Sequence, residues 1–149
     1  MRWAQALWRG CPDQKNLSLQ DAIMAPALPD GFPYPADVLV VEDDPIIAID
    51  FEDRLLGFGV RHVRTAGSVT QALDAIAKGA PDFALLDVEL NREKSFAIAE
   101  RLVALNVPFV FVTGYGAETR IPPEFAARPR LQKPCSSEAL EAALRTRDR

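Results

Sequence analysis

The stretch that decides the fold is DFALLDVEL, residues 82–90, in which four apolar residues run directly into the carboxylate of Asp87. An apolar run without alternation is typical of a strand buried on both faces, as in a parallel sheet covered by helices. Asp87 therefore lies where the strand leaves the core, and in open α/β sheets ligands bind at the carboxyl ends of strands. The residue is either a turn or helix-capping aspartate or a reactive carboxylate, and the rest of the chain decides between the two.

The totals of the sequence limit the class of protein. The chain has 149 residues, of which 48% are hydrophobic, enough for one domain with a substantial core. Its formal net charge of −4 argues against nucleic-acid binding through bulk electrostatics. No apolar run approaches the ~18 residues of a membrane helix, and the N-terminus lacks a secretory signal. We expect a cytoplasmic protein that binds neither nucleic acid nor membrane.

Residues 1–35 differ in composition from the rest of the chain. Two tryptophans near the start are followed by residues 26–35, whose four prolines and one glycine break both helix and strand. We predict a flexible N-terminal extension over residues 1–35, followed by one domain over residues 36–149. Two alternatives stay open. The extension is either a tail without function or a docking peptide, and the first residue of the protein is either Met1 or Met24.

From residue 37 onward, apolar strands alternate with helices. The first strand, residues 38–41, ends in the acidic run Glu42-Asp43-Asp44, and Pro45 suits the first turn of the helix that follows. The spacing predicts an apolar helix face of six residues, and glycines end the helix. The six are Ile46, Ile47, Ile49, Phe51, Leu55 and Leu56.

The alternation of strand and helix is repeated five times, which predicts an α/β fold with a doubly wound, five-stranded parallel sheet. Right-handed crossovers and the flavodoxin-like strand order 2-1-3-4-5 place the first and third strands side by side. Pro122 and Pro123 interrupt the segment of the fourth helix, which we expect to be short or irregular. We expect the polar stretch 91–94 to form a loop. Because the chain ends with the fifth helix, we expect no output domain.

Five side chains are expected to converge at one edge of this sheet. Glu42 and Asp43 follow the first strand, Asp87 the third, Thr113 the fourth and Lys133 the fifth. Neighbouring carboxylates repel one another, and a hard divalent cation such as Mg²⁺, which prefers oxygen ligands, relieves that repulsion. A carboxylate beside the ion can attack phosphorus, and an ammonium and a hydroxyl suit the oxygens of the transferred group. The constellation predicts phosphoryl transfer.

Each of these residues taken singly has an ordinary structural explanation. The acidic run caps the first helix and favours its positive end. Thr113 is a β-branched residue at a strand end, and Lys133 is a surface lysine. Their joint occurrence at four strand ends favours the phosphoryl-transfer interpretation.

Four motifs resemble the receiver domain of two-component response regulators, over about residues 36–146. They are VLVVEDDP at 38–45, LLD at 85–87, FVTG at 111–114 and KP at 133–134. The resemblance implies Asp87 as the phosphoacceptor, Thr113 as the switch hydroxyl and Lys133 as the phosphate partner. It also implies a Mg²⁺ site, with these ligands: Glu42, Asp43, Asp87 and the backbone carbonyl of Glu89. Which two acids of the run 42–44 face the metal depends on register, and the family pattern favours the first two.

One position departs from the family pattern. Receivers usually carry Tyr or Phe three residues before the lysine, and this chain has Arg130 there. The stretch PFVFVTGYG, residues 108–116, resembles the FAT GUY subgroup of receivers, although Val112 stands where the motif has Ala. This resemblance implies a sensor histidine kinase partner of the HWE/HisKA2 type. We expect signalling without the usual Thr–Tyr coupling and a reordering of residues 114–128 on phosphorylation.

The predicted function is that of a single-domain response regulator, which catalyses only its own phosphorylation and dephosphorylation. Its output is altered binding to an unknown downstream protein, or phosphate transfer as a shuttle or sink. A haloacid dehalogenase-type phosphatase uses similar groups, but it needs a second Asp where this chain has Glu89. A nucleotide-binding module lacks support because neither glycine-rich fingerprint is present. A phosphate-independent pseudo-receiver is the remaining alternative.

Overall fold

The structure is a computed structural model that describes residues 34–114 and 121–145. The predicted N-terminal extension, residues 1–35, lies outside the described residues except for Tyr34 and Pro35. The division of the chain into this extension and a domain over 36–149 therefore stays a prediction.

Strands and helices alternate along the described residues. The strands are β1 (Asp37–Val41), β2 (His62–Ala66), β3 (Phe83–Asp87), β4 (Glu89–Leu90), β5 (Glu93–Lys94), β6 (Phe109–Thr113) and β7 (Arg130–Gln132). The α-helices are α1 (Pro45–Phe58), α2 (Val69–Lys78), α3 (Phe96–Ala104) and α4 (Ser137–Leu144). None of the described helices is both long and apolar enough to span a membrane.

Five of these strands form one parallel sheet in the order β2-β1-β3-β6-β7. This order confirms the predicted flavodoxin-like topology, because β6 and β7 are the fourth and fifth strands of the sheet. β1 and β3 are neighbours, with Val41 aligned with Leu86. Since all five strands run in the same direction, their carboxyl ends meet at one edge of the sheet, where ligands bind in folds of this class.

The sheet is covered on both faces, which explains the unbroken apolar run in β3. Ala84 and Leu86 belong to a buried cluster with residues of α2 and α3. Phe83 and Leu85 belong to a second buried cluster with residues of α1 and α4. Successive side chains of a strand point to opposite faces. Both sets must therefore be apolar, and all five residues of β3 are buried.

Helix α1 buries a narrower face than the sequence pattern predicts. Of the six residues predicted to form that face, Phe51 and Leu55 are buried and Ile47 is partly buried. The other three are exposed: Ile46 by 76%, Ile49 by 57% and Leu56 by 45%. With 3.6 residues per turn, the six positions spread around more than one side of the helix, and the sheet contacts one side. The prediction of a six-residue inward face was wrong.

Local polar groups determine where the helices begin and end. Ser68 Oγ accepts the N–H of Gln71 at the start of α2, and Ser136 Oγ accepts the N–H of Ala139 at the start of α4. Helix α1 ends at Gly59, whose φ of 115° is a left-handed conformation that costs glycine little. Serine is a preferred residue at this position, because its side-chain oxygen accepts a helix N–H that has no partner within the helix.

The fourth helix is reduced to a short 3₁₀ turn in the described residues 121–129. This turn, Pro123–Phe125, agrees with the expected short or irregular helix, because proline inside a helix removes a donor and clashes with the preceding turn. Phe125 packs against Phe96, Phe109 and Phe111. An aromatic cluster thus attaches this segment to the core. The predicted reordering of residues 114–128 stays a prediction, and residues 115–120 lie outside the described part.

The polar stretch 91–94, expected to be a loop, belongs to a β-hairpin in which β4 and β5 pair antiparallel. Its two-residue turn consists of Asn91 and Arg92, with φ values of 47° and 74°. Such turns need positive φ at both positions and usually contain glycine. Because this turn contains no glycine, the sequence pattern does not indicate a hairpin here. The expectation of a loop was wrong.

Candidate functional site

The acids that follow β1 divide between the site and the helix. Glu42 is 4% exposed, and its Oε1 accepts the N–H of Asp44 at 3.0 Å. Asp43 is half-buried, and its Oδ2 accepts the N–H of Asn91 at 3.2 Å. Asp44 instead caps α1, where its Oδ1 accepts the N–H of Ile46 at 2.9 Å. The fold therefore directs the first two acids of the run to the sheet edge and the third to the helix.

Asp87 ends β3 beside the first two acids. It is 7% exposed, and its Oδ1 accepts the N–H of Glu89 at 3.2 Å. One carboxylate oxygen from each of Glu42, Asp43 and Asp87 lies within 4.8 Å of the others. The pairing of β1 with β3 brings these groups together, because the two strands are aligned and end at the same edge of the sheet.

Lys133 supplies positive charge to this acidic cluster. Its Nζ donates to Glu42 Oε2 at 2.8 Å and to Asp87 Oδ2 at 3.0 Å. Its backbone N–H donates to the carbonyl of Thr113 at 2.8 Å. The backbone of Lys133 thus extends the pairing of β7 with β6, and this places its side chain at the carboxyl ends of the strands.

Burial perturbs the ionisation of the cluster. Desolvation raises the pKa of Glu42 to about 7, although the hydrogen bonds from Lys133 and the Asp44 N–H act in the opposite direction. Burial lowers the pKa of the Lys133 ammonium, but its hydrogen bonds to Glu42 and Asp87 outweigh burial and raise that pKa above its ordinary value. Lys133 therefore stays charged at neutral pH, whereas Glu42 exchanges its proton near neutrality.

Thr113 and Glu89 lie at the margin of the cluster. The hydroxyl of Thr113 is directed to the carbonyl of Leu131, 3.5 Å away on β7. The exposed side chain of Glu89 pairs with Lys94 of the hairpin, so Glu89 meets Asp87 through its backbone N–H. Four of the predicted site residues lie in direct contact or in one cluster: Glu42, Asp43, Asp87 and Lys133.

Arg130, at the position of the usual receiver aromatic, is exposed and aligned with Phe111 of the neighbouring strand. The buried aromatic ring nearest to this position in the chain belongs to Phe125, which contacts Phe111. Within the described residues 121–132, the aromatic packing thus lies on the 3₁₀ turn and not on β7.

Two contacts at the site could not be predicted from the sequence pattern. Asn91 of the hairpin donates its N–H to Asp43, 48 residues away. Arg54 of α1 donates from Nη1 to the carbonyl of Cys135, 81 residues away and just after Lys133, at 2.6 Å. Spacing along the chain carries no signal for either contact, because each depends on how distant segments pack.

The donor set of the cluster fits a hard divalent cation. The three carboxylates offer oxygen ligands within 4.8 Å of one another, and two of them are buried. In the described part of the chain, one ammonium, that of Lys133, contacts two of these three acids. Mg²⁺ binds such sites through a few carboxylates and keeps several waters. The cluster can therefore accommodate Mg²⁺, and excess negative charge favours its binding.

The arrangement also suits nucleophilic chemistry at Asp87. Its two oxygens are oriented separately, Oδ1 by a backbone N–H and Oδ2 by the Lys133 ammonium. A carboxylate fixed in this way can attack phosphorus, and the ammonium is placed to hold negative charge on the group that arrives.

Comparison with protein families supports this chemistry. The family model described as the response regulator receiver domain matches residues 38–145. Receiver domains generally bind Mg²⁺ at an acidic pocket and interact with histidine kinases and downstream proteins. The matched range runs from β1 to the end of α4 and includes every predicted site residue.

Similar proteins are found among solved structures and curated sequences. The solution structure of SdrG from Sphingomonas melonis Fr1 is 40% identical, with a TM-score of 0.67 over 74% of this chain and 93% of that chain. The BeF₃-activated conformation of SdrG from Pseudomonas melonis Fr1 is 36% identical, with a TM-score of 0.61 over 75% and 98%. The phyllosphere-induced regulator PhyR of Methylorubrum extorquens is 30% identical over 82 residues, 53% of this chain. The match covers 31% of PhyR, so the chain spans about a third of that relative.

Proposed function

Since the chain belongs to the response regulator receiver domain family, we propose that it accepts a phosphoryl group from a sensor histidine kinase onto Asp87 in a Mg²⁺-dependent reaction. The observation that carries the proposal is the position of Lys133 Nζ, 3.0 Å from Asp87 Oδ2 and 2.8 Å from Glu42 Oε2, beside a third acid. An ammonium, a nucleophilic carboxylate and two further carboxylates are the groups that aspartyl phosphorylation requires.

The reaction is a displacement at phosphorus. An oxygen of Asp87 forms the new O–P bond, and the P–N bond to the donor imidazole breaks with its electron pair remaining on nitrogen. The N–H of Glu89, 3.2 Å from Oδ1, orients the carboxylate before the attack. Lys133 then pairs with an oxygen of the transferred group and offsets its negative charge.

The proposed Mg²⁺ ligands are Glu42, Asp43, Asp87 and the backbone carbonyl of Glu89. When bound, the ion would neutralise charge on the phosphoryl oxygens. The chain contributes by holding Glu42 through the Asp44 N–H at 3.0 Å. It also holds Asp43 through the N–H of Asn91 at 3.2 Å, so both acids are oriented before the ion arrives.

Thr113 is proposed to be the residue whose position changes when Asp87 is phosphorylated. Its hydroxyl, now directed toward β7, would turn to the phosphoryl group and displace the segment after β6. Because Arg130 replaces the usual aromatic and is exposed, this relay does not use a ring at residue 130. The output is altered binding to a downstream protein, or phosphate shuttling. The proposed donor is a sensor histidine kinase of the HWE/HisKA2 type, and the proposed location of this protein is the cytoplasm. Loss of phosphate is proposed to be autocatalytic.

Intact mass after incubation with acetyl phosphate tests the proposal. We expect the parent protein to gain one phosphoryl group when Mg²⁺ is present and none when it is chelated. Asp87→Asn should gain none. Asp82→Asn is the matched control, because Asp82 is an aspartate directly before the opposite end of β3, where it accepts the N–H of Asp37 at 3.1 Å. This control should be phosphorylated like the parent.

Two outcomes would contradict the proposal. Equal phosphorylation of the parent and Asp87→Asn would place the reaction at another residue. If neither the parent nor any variant is phosphorylated, even by a histidine kinase, and Asp87→Asn binds the same proteins as the parent, the pseudo-receiver alternative is favoured.

A further inference from the structure

We propose that Arg54 is a positioning residue for phosphoryl transfer, which acts by fixing the loop that carries Lys133. The inference rests on the proposed function, because it concerns the ammonium that contacts Asp87. Arg54 lies on α1 and contacts none of the carboxylates of the acidic cluster in the hydrogen bonds and ion pairs of the described residues. Its action on the reaction is therefore indirect.

The guanidinium of Arg54 joins two segments that are distant in the sequence. Nη1 donates to the carbonyl of Cys135 at 2.6 Å, and Nη2 pairs with Asp50 Oδ2 at 3.0 Å, one turn earlier on α1. Asp50 thus orients the planar guanidinium through Nη2, while Nη1 of the same guanidinium binds the loop at the Cys135 carbonyl. Hydrogen bonds that involve a charged group are about twice as strong as neutral ones.

The loop after β7 is held at its two ends by other contacts. The N–H of Lys133 donates to the carbonyl of Thr113, and Ser136 caps α4 through the N–H of Ala139. Between them lie Pro134, which has no N–H to donate, and Cys135. The bond from Arg54 to the Cys135 carbonyl fastens this middle part of the loop to α1.

Packing holds this loop on one side, where Cys135 lies partly buried against the core cluster, but not on the side that faces α1. A groove of about 350 Å³ lies between α1 and the loop, and its lining includes Ile47, Phe51, Lys133 and Pro134. Interiors without voids hold side chains by contact on all sides, but a segment beside open space is not fixed in this way. A directional hydrogen bond across the groove therefore has an effect that packing does not duplicate.

Helix α1 also sets the position of the acids. It begins at Pro45, directly after the run that contains Glu42 and Asp43, and Asp44 caps it. Through Arg54, the same helix holds the loop that begins with Lys133. A single rigid element thus links the acids and the ammonium, and loss of the Arg54 bond should loosen the ammonium while the acids stay in place.

The test compares initial rates of phosphorylation by acetyl phosphate with saturating Mg²⁺, followed by intact mass. Arg54→Met keeps much of the aliphatic stem and removes the donors, and we expect the rate to fall about three- to tenfold, as the loss of one charge-assisted bond implies. Arg54→Lys keeps one charged donor and should recover part of the rate. Arg145→Met is the matched control, because Arg145 also pairs with an acid one turn earlier, Glu141, but on α4.

A double-mutant cycle separates positioning from a general structural effect. If Arg54 acts through Lys133, then Arg54→Met should change the rate less than about 1.5-fold in a Lys133→Ala background, because the group that it positions is gone. In Arg54→Met the affinity for Mg²⁺ should change by a smaller factor than the rate, since Glu42 and Asp43 keep the backbone N–H donors of Asp44 and Asn91. A merely structural role would lower the rate equally in both backgrounds.

The outcomes distinguish this inference from the proposed function. If the parent is phosphorylated at Asp87 and Arg54→Met reacts at the parent rate, the positioning role is overturned and the proposed function stands. An equal fall in both backgrounds also overturns the positioning role. If the parent is not phosphorylated at Asp87 by any donor, the proposed function fails and the inference fails with it.

Discussion

The two edges of the parallel sheet both carry charged side chains that are partly or fully buried, but they balance these charges differently. At the amino-terminal edge, Arg64 donates to both oxygens of Asp37, at 3.2 and 2.8 Å. It also donates to the carbonyls of Ala75 and Gly79 at the end of α2, each at 2.9 Å. One cation thus meets one anion, and two further guanidinium donors are satisfied by backbone oxygens.

At the carboxyl-terminal edge, the charges do not balance. Glu42 and Asp87 share the ammonium of Lys133, and Asp43 belongs to the same cluster. Burial raises the pKa of Glu42 to about 7, which shows that this edge favours the neutral carboxyl group. Burial of an acid in this way costs stability in the metal-free protein, because the charged carboxylate loses its hydration.

The difference separates a stabilising edge from a reactive one. A balanced and fully hydrogen-bonded pair gains stability but offers no group for chemistry. An edge with excess negative charge is less stable, but it binds a cation more tightly. It also contains a carboxylate whose charged neighbours favour its reaction with a phosphoryl group. Substitutions at the two edges should therefore change different observables.

Lys133→Met should give the largest change in the rate of phosphorylation, and it tests most directly whether the carboxyl-terminal edge is the reactive one. Removal of the ammonium takes away the positive charge that pairs with the transferred group, and we expect phosphorylation by acetyl phosphate to slow about a hundredfold or more. Initial rates from intact mass measure this. A rate within twofold of the parent would show that the reactive edge does not need Lys133 and would contradict the comparison.

Arg64→Met should have the converse effect at the stabilising edge. The substitution leaves Asp37 without its partner, and we expect the free energy of unfolding to fall by about 2 kcal/mol, while phosphorylation stays at the parent rate. Urea unfolding measures the first quantity. Arg101→Met, at an exposed arginine of α3, is the control and should leave both quantities unchanged. A slowed reaction in Arg64→Met would mean that the two edges are coupled.

The pH dependence of stability should come from the reactive edge. Glu42 has a pKa of about 7 in the folded protein, against 4.5 as its ordinary value. Between these pH values the folded state binds more protons than the unfolded state. The free energy of unfolding of the metal-free protein should therefore fall as pH rises from about 4.5 to about 7, by on the order of 1 kcal/mol.

Two controls assign this slope to Glu42. Glu42→Gln has no proton to lose and should flatten the dependence. Saturating Mg²⁺ should also flatten it, because the cation replaces the proton. Urea unfolding at several pH values measures the slope, and the same slope in Glu42→Gln and the parent would assign it to another group.

Arg92→Gly should have the smallest effect, at the hairpin beside the reactive edge. Arg92 has φ of 74°, a conformation that glycine adopts without steric cost. Relief of this strain, partly offset by the greater entropy of glycine in the unfolded chain, should raise the free energy of unfolding by about 0.5 kcal/mol. Thermal unfolding measures it. Glu93→Gly, at the first position of β5, should instead lower stability, and the opposite order would show that the turn is not strained.

Much of the fold could be predicted from local signals. Apolar runs located the central strands of the parallel sheet, and Pro45 and Gly59 marked the start and the end of α1. Both signals are read from a few neighbouring residues. The prediction failed where the outcome depends on which surface packs against which: Ile46 and Ile49 of α1 are exposed because the sheet contacts only one side of that helix. It failed again at residues 91–94, where the turn lacks the usual glycine.

The candidate site shows the same division. The sequence by itself determined which residues stand at the strand ends, because a carboxylate or lysine after an apolar run is a local feature. Right-handed crossovers, taken together with the flavodoxin-like strand order, then predicted which of those ends lie side by side. Tertiary structure alone decided that Asp44 turns to cap α1 while Asp43 joins Asp87. It also decided that Arg54 reaches the loop after Lys133. Contacts between segments far apart in the chain depend on the packing of rigid elements, and no spacing along the sequence encodes them.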